Sequence, residues 1–311
     1  MKANNINDLL GRITSREEYL NLEHISIVDG VGTIPPRSFS SHPQLRSVTI
    51  PDSVKYIYSE AFERCPNLEM IRIPNSVISI GRNAFSQCSN LRSVIIGKGV
   101  KEIKERAFSN CKNISSIVFQ GNFQYLLKEV FSKCYKLESL EIKDDENYDS
   151  RNNCNAIIET KTNTLIWGCS STTIPNSVSR IGECAFIWNE LLKSISIPGN
   201  VVTIEGWAFC GCKKLTSVKI SEGVTEIGDS SFHGCKIKSI SLPNGVKSVG
   251  NNAFAWCSNL TTVYLPDSIN EIAEHAFFEC RKLNSIYVPK GTLQKFKKLF
   301  IPWYHLYLKE L

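Results

Sequence analysis

The sequence predicts a solenoid of the α/β class, about twelve stacked coils with short parallel strands. Three observations predict it: a 23-residue period, an apolar alternation fixed within that period, and an Ala-Phe pair followed by Cys in most units. The period is visible in LRSVTIPDSVKYIYSEAFERCPN from Leu45 and in LEMIRIPNSVISIGRNAFSQCSN from Leu68. Taking the leading apolar residue as position 1, units begin at Leu22, Leu45, Leu68, Leu91, Ile114, Leu137, Cys169, Leu192, Leu215, Ile237, Leu260 and Leu283. The spacing is 23 except for 32 between Leu137 and Cys169, and 22 between Leu215 and Ile237, where a residue is missing after Cys235.

Positions 4 and 6 are apolar (Val48 and Ile50, Ile71 and Ile73, Ile195 and Ile197) around a variable position 5, which reads as a short strand. Proline often follows at position 7, as in Pro51, Pro74 and Pro198, where a residue without an N–H suits a strand end. Positions 10 and 13, such as Val77 and Ile80, fill the interior from a turn or a second extended segment. The Ala-Phe pair at positions 17 and 18 suits a short helical turn closing each coil, with each phenylalanine stacked on the next.

The unit from Leu137 departs into KDDENYDSRNNCNAIIETKTNTLIWGC, an insertion over residues 143–168. Its apolar runs around Thr160-Lys161-Thr162-Asn163-Thr164 predict a protruding β-hairpin with a polar tip. Solenoid ends must be covered. Residues 1–21, with Ile6, Leu9, Leu10, Ile13 and Leu20, are expected to form a helical N-terminal cap, and residues 22–288 the repeats. Leu293, Phe296, Leu299 and Phe300 are spaced for an amphipathic cap helix within 289–311, broken at Pro302.

The pattern L-x-S-I-x-I-P-x-S-V-x-x-I-G-x-x-A-F-x-x-C, running from Leu22 to Val288, resembles the BspA-like (Treponema-type) leucine-rich repeats of bacterial surface proteins. The phrase YDSRNNCNAIIETKTNTLI also resembles an island in some relatives, and implies a Bacteroides-like source. The resemblance implies a right-handed leucine-rich repeat superhelix with its parallel sheet on the concave side, used for adhesion or protein recognition, extracellular or at the cell surface, without catalysis. The segment MKANNINDLLGRITSREEYL has neither a basic n-region nor an apolar h-region, which taken alone points to an intracellular protein.

The formal charge of +6 is modest for 311 residues and the cations are scattered, densest from Lys290 to Lys298, so a nucleic-acid partner is not expected. Eight of the twelve cysteines (Cys65, Cys88, Cys111, Cys134, Cys212, Cys235, Cys257, Cys280) occupy position 21, and a repeat position is a packing position, so buried free thiols are expected. His42 and Asn189 fall in the same slot. Cys154 and Cys169 flank the hairpin, and both a bridge at its base and simple burial remain open. Cys210-Gly-Cys212 lacks a second ligand pair, and position 19 is expected to face outward, so no zinc is expected. The acidic run Asp144, Asp145, Glu146 lacks EF-hand spacing and reads as a solvated loop. His24, His42, His233, His275 and His305 fall at different registers, and no P-loop, H-E-x-x-H or dinucleotide fingerprint is present; no enzyme, cofactor or metal is expected.

Strand positions 3 and 5 point away from the core. Position 3 is mostly Ser or Thr, a small hydroxyl floor, and position 5 varies. Met70, Arg72, Ile95 and Val118 form an expected apolar patch with one cation, and Tyr264 with Tyr287 an aromatic pair. These are the expected anchors for a protein partner, or a glycan, on the concave sheet. The competing reading is a structural spacer or assembly module of a larger surface protein.

Overall fold

A computed structural model describes residues 15–121, 123 and 130–311. The chain forms two compact units, Met1–Ser150 and Arg151–Leu311. The N-terminal cap expectation rests largely on Ile6, Leu9, Leu10 and Ile13, which lie outside the described residues. What is described is a helix over Arg16–Leu20, started by Ser15, whose Oγ accepts the Glu18 N–H at 3.1 Å.

In the first unit the position 3–6 segments pair in parallel: Met70–Ile73, Ser93–Ile96, Ser116–Gln120 and Ser139–Lys143 form one sheet, and His24–Ser26 pairs with Ser47–Thr49. Positions 12 and 13 form a second parallel sheet of two-residue strands, Thr33–Ile34, Tyr56–Ile57, Ser79–Ile80 and Glu102–Ile103. Both sheets turn alternate residues inward, so Ile71, Ile73 and Ile80 are buried in one coil, with Val77 buried from the turn between the two strands.

The expected helical turn at the Ala-Phe pair is absent. The segment is instead a turn in which positions 16 and 20 carry left-handed backbone, for example Glu60 (φ 60°) and Arg64 (φ 57°), or Asn83 (φ 54°) and Gln87 (φ 63°). Reversing handedness at those two places aims the N–H groups of positions 16, 18 and 20 along the stack, and they donate to the carbonyls of positions 15, 17 and 19 in the next coil. Glu60 donates to Arg82 (2.9 Å), Phe62 to Ala84 (2.7 Å) and Arg64 to Ser86 (2.8 Å). The turn is therefore a third ladder between coils. It brings Phe39, Phe62, Phe85, Phe108 and Phe131 into a row of near-parallel rings with centroids 4.9–5.0 Å apart. Parallel planes at that separation are offset stacks, and each such pair adds about 0.5–1.5 kcal/mol beyond area burial.

The position 21 thiols complete this arrangement. Cys65 Sγ donates to the Phe39 carbonyl (3.1 Å), Cys88 to Phe62 (3.2 Å) and Cys111 to Phe85 (3.1 Å). The slot asks for a hydrogen-bonding side chain: His42 meets the Tyr19 carbonyl through Nε2 at 2.7 Å, and Asn189 accepts the Leu191 and Leu192 N–H groups through Oδ1. Cys210, at position 19, does not face outward as expected, because the third ladder turns it under the neighbouring coil; it is 1% exposed and Ser86 and Ser109 at the same position are also buried, whereas Phe278 is exposed.

The second unit repeats these features, with Phe186, Phe209, Phe232, Phe254 and Phe277 stacked at 4.8–5.5 Å and thiol-to-carbonyl bonds from Cys212, Cys235, Cys257 and Cys280. The predicted hairpin is present as the antiparallel strands Ala156–Glu159 and Thr164–Gly168. It does not protrude: Ile157, Ile158 and Leu165 are fully buried, and Thr164 and Leu165 pair in parallel with Arg180 and Ile181. The insertion thus supplies the first rung of the second sheet, which runs on unbroken through Thr203–Ile204, Glu226–Ile227, Ser248–Val249 and Glu271–Ile272. In the main strands of the second unit Ser194–Ile197 pairs with Ser217–Ile220, and a new ladder starts after the 22-residue coil at Ser239–Ser241 with Thr262–Tyr264 and Ser285–Val288. The C-terminal cap has its helix over Leu293–Leu299, then a 3-10 turn over Pro302–Tyr307 and a last strand, Leu308–Glu310, that pairs with Ser285–Val288.

Close coil spacing makes specific predictions. A Cβ on Gly99 would lie 1.9 Å from the Asn75 carbonyl oxygen, a backbone atom that has no room to yield. Gly99→Ala should therefore cost about 3 kcal/mol or more, measured by denaturant unfolding. Cys88→Ala, which removes the donor to the Phe62 carbonyl, should cost about 1–3 kcal/mol, and Cys88→Ser should recover part of that loss.

Candidate functional site

The outward residues of the main strands are brought together as the register requires. Arg72, Ile95, Val118 and Glu141 occupy successive rungs of one ladder. At about 4.8 Å per strand the row spans about 14 Å, with a cation at one end, two half-buried aliphatic side chains between, and a carboxylate at the other. Glu141 is held by Lys143 Nζ at 3.3 Å, while Arg72 is exposed and makes no ion pair among the described residues. The adjacent row is Met70, Ser93, Ser116 and Ser139, in which Met70 is 53% exposed beside three small hydroxyls. The four residues singled out in the first unit therefore form one contiguous surface.

In the second unit Tyr264 and Tyr287 are Cα partners, their rings 5.1 Å apart and tilted by 13°, with Tyr264 38% exposed. The last strand extends this row by Lys309, whose Nζ lies 5.9 Å from the Tyr287 ring centroid and 2.7 Å from Ser285 Oγ. Lys309 was not foreseen, because a three-residue strand leaves no readable period and the segment was assigned to a cap helix. An ammonium over a tyrosine face adds a cation–π contact of about 0.5–1 kcal/mol at an exposed site.

Several of the other chemistry-bearing residues are engaged structurally. His24 Nδ1 lies 2.7 Å from Ser47 Oγ, and His305 Nε2 is shared between the Lys297 and Phe300 carbonyls. Burial pushes His42 and His233 below the usual histidine range. Asp145 accepts the backbone N–H groups of Phe123, Asn147 and Tyr148, which makes the acidic run a loop brace. Among the described residues no group of three or more His, Cys, Asp or Glu is arranged to hold a metal, and no helix is long and apolar enough to cross a membrane.

With the repeat geometry established, the sequence matches the BspA type leucine rich repeat region over residues 17–148 and 179–300, in six copies. The chain belongs to the BspA-type leucine-rich repeat family. The gap in the match, residues 149–178, contains the hairpin. The BspA-type chain is 32% identical to a leucine rich cell surface protein of Faecalibacterium prausnitzii, over 90% of this chain and 76% of that one, with a TM-score of 0.66. Two further solved structures share the fold. The pneumococcal vaccine antigen PcpA is 18% identical, with 93% and 79% of the two chains covered and a TM-score of 0.70. A leucine-rich repeat protein of Eubacterium ventriosum is 17% identical, with 92% and 83% covered and a TM-score of 0.55. No curated protein matches the BspA-type chain.

No disulfide joins the described cysteines, so the bridge left open between Cys154 and Cys169 is absent and both side chains are buried. Burial pushes Cys210 up to about 11, and Cys134 and Cys212 up to about 12. A thiol titrating higher when folded than when unfolded contributes stability that is intact below the unfolded thiol pKa, about 8.5, and fades as pH rises toward the folded value. Melting temperature should therefore fall progressively between about pH 8.5 and 12. At pH 8 a thiol-specific disulfide reagent should modify Cys184 and Cys134, the two half-buried thiols, ahead of the buried cysteines, and denaturation should expose all twelve.

Proposed function

We propose that the protein is a non-enzymatic recognition module of the bacterial surface that holds a protein partner against the outward face of its main strands. The observation that supports this most directly is Arg72, an exposed guanidinium with no ion pair among the described residues, set among Met70, Ile95 and Val118 on a regular sheet. Exposed apolar side chains around an arginine have the composition of an interface anchor. The strands beneath are held by ladders on both sides, so little order is lost when a partner binds.

Tyr264, Tyr287 and Lys309 form a second anchor of the same kind, already stacked in place. Tyrosine supplies contact area at small conformational cost and can hydrogen-bond at its tip. A cell surface location is supported by the Faecalibacterium relative, which is described as a cell surface protein.

The test is an affinity capture from bacterial and host-tissue extracts with the full chain and with a variant carrying Arg72→Ala, Ile95→Ala, Tyr264→Ala and Tyr287→Ala. Capture of a specific partner by the parent, lost in the folded variant, is the expected result. Equal capture by both would reject the strand face, and no capture by either, with self-association in solution scattering, would favour a spacer or assembly module.

A further inference from the structure

We infer that the turn face of the second unit carries a binding site for a uronic-acid oligosaccharide, formed by Trp188 and Trp256 on either side of a bare glycine floor and flanked by Lys213 and Lys236. This face lies at positions 20 and 22 of the coils and is separate from the outward strand residues.

The four residues at position 20 are successive rungs of the third ladder. Trp188 N–H donates to Cys210, Gly211 to His233, Gly234 to Ala255 and Trp256 to Phe278, at 2.7–2.8 Å. Trp188 and Trp256 hold left-handed backbone, φ 57° and 61°, which is a strained state for a bulky side chain, and they are 41% and 48% exposed. In the first unit the same place holds Arg64, Gln87, Asn110 and Lys133. Neither packing nor backbone geometry therefore calls for tryptophan here.

The glycines between them have separate reasons. A Cβ on Gly211 would lie 2.4–2.7 Å from carbons of the Trp188 ring, so the indole rests on the bare Cα of the next coil. A Cβ on Gly234 would meet nothing within 4 Å. Left-handed backbone alone does not require glycine, since Gln87 occupies the equivalent place at φ 63°. Gly234 is thus an open floor between the Trp188 indole and the Trp256 indole, the latter set 6.4 Å from Phe278.

Charge selects the occupant. Lys213 Nζ sits 5.8 Å from the Trp188 ring centroid, and Lys236, one coil on, places Nζ 2.6 Å from Ser258 Oγ. Neither ammonium has a carboxylate partner among the described residues. Glu190 stands at one end of this row, and at the other Glu279 is held by Arg281 at 2.6 Å. Flat aromatic faces suit the C–H faces of pyranose rings, and a coil rise of about 4.8 Å is close to the length of one sugar unit. Two lysines match sparse carboxylates. Densely sulfated chains, and single-stranded nucleic acid, draw their affinity from many phosphate- or sulfate-directed cations, which this face lacks.

The test titrates tryptophan fluorescence and heat of binding of the full chain with a hexasaccharide of alternating glucuronate and N-acetylglucosamine. Its carboxyl-reduced counterpart, a chondroitin sulfate hexasaccharide and a thymidine dodecanucleotide serve as the other arms. The glucuronate probe should bind best. Trp188→Ala, Trp256→Ala and Gly234→Gln should each weaken it about tenfold or more. The last puts glutamine where Gln87 stands in its own coil and fills the floor, and its fold is checked by circular dichroism. Lys213→Ala with Lys236→Ala should erase the preference over the reduced sugar, while Tyr264→Ala with Tyr287→Ala leaves binding unchanged. The inference is overturned by no glucuronate binding, by binding that the tryptophan and Gly234 variants do not weaken, or by equal or tighter binding of any other probe.

Discussion

The N–H groups of the closing turn must find acceptors outside their own coil, and the rest of the structure depends on how they do so. Two left-handed residues per turn aim three donors along the stack at the next coil, which places the phenylalanine ring of each coil against the last. The phenylalanine carbonyl, lying between ladder rungs, takes the thiol of the following coil. A 23-residue unit is the length at which both sheets and this turn meet their neighbours simultaneously. Since each coil satisfies only adjacent coils, stability accumulates by nearest-neighbour contacts.

The apolar skeleton was legible in the sequence because it repeats. Positions 4, 6, 10, 13 and 18 are largely buried as their periodicity implies, and eight of the cysteines follow from sharing a further repeated place, position 21. The closing turn was misread as helical because Ala-Phe in a six-residue segment gives no period. Left-handed backbone also leaves no compositional trace when Arg, Glu, Asn and Trp all adopt it. For the same reason position 19 was expected outside, and Cys210 is inside. The hairpin was visible as two apolar runs, but its use as the first rung of the second sheet depends on a pairing with Arg180 and Ile181 that lies outside any local pattern.

The outward surface was legible only in part. Strand alternation correctly set Arg72, Ile95 and Val118 side by side, and likewise Tyr264 and Tyr287, because parallel in-register coils align equal positions. Lys309 escaped notice, being contributed by a strand outside the repeat. The tryptophans of the turn face could have been noticed as bulky residues in a slot elsewhere polar, yet the sequence alone gave no reason to think that slot was exposed.

The 22-residue coil has a mechanical consequence. Between Ser217–Ile220 and Ser239–Ser241 the main ladder is interrupted, while the second sheet and the turn ladder continue across. When the second unit is pulled along its stacking direction, fewer hydrogen bonds share the load at that junction than at its neighbours. Rupture therefore begins there, and the coils carrying Tyr264 and Tyr287 separate as a block with their rings still stacked. That junction acts as a fuse, setting where the second unit yields under load.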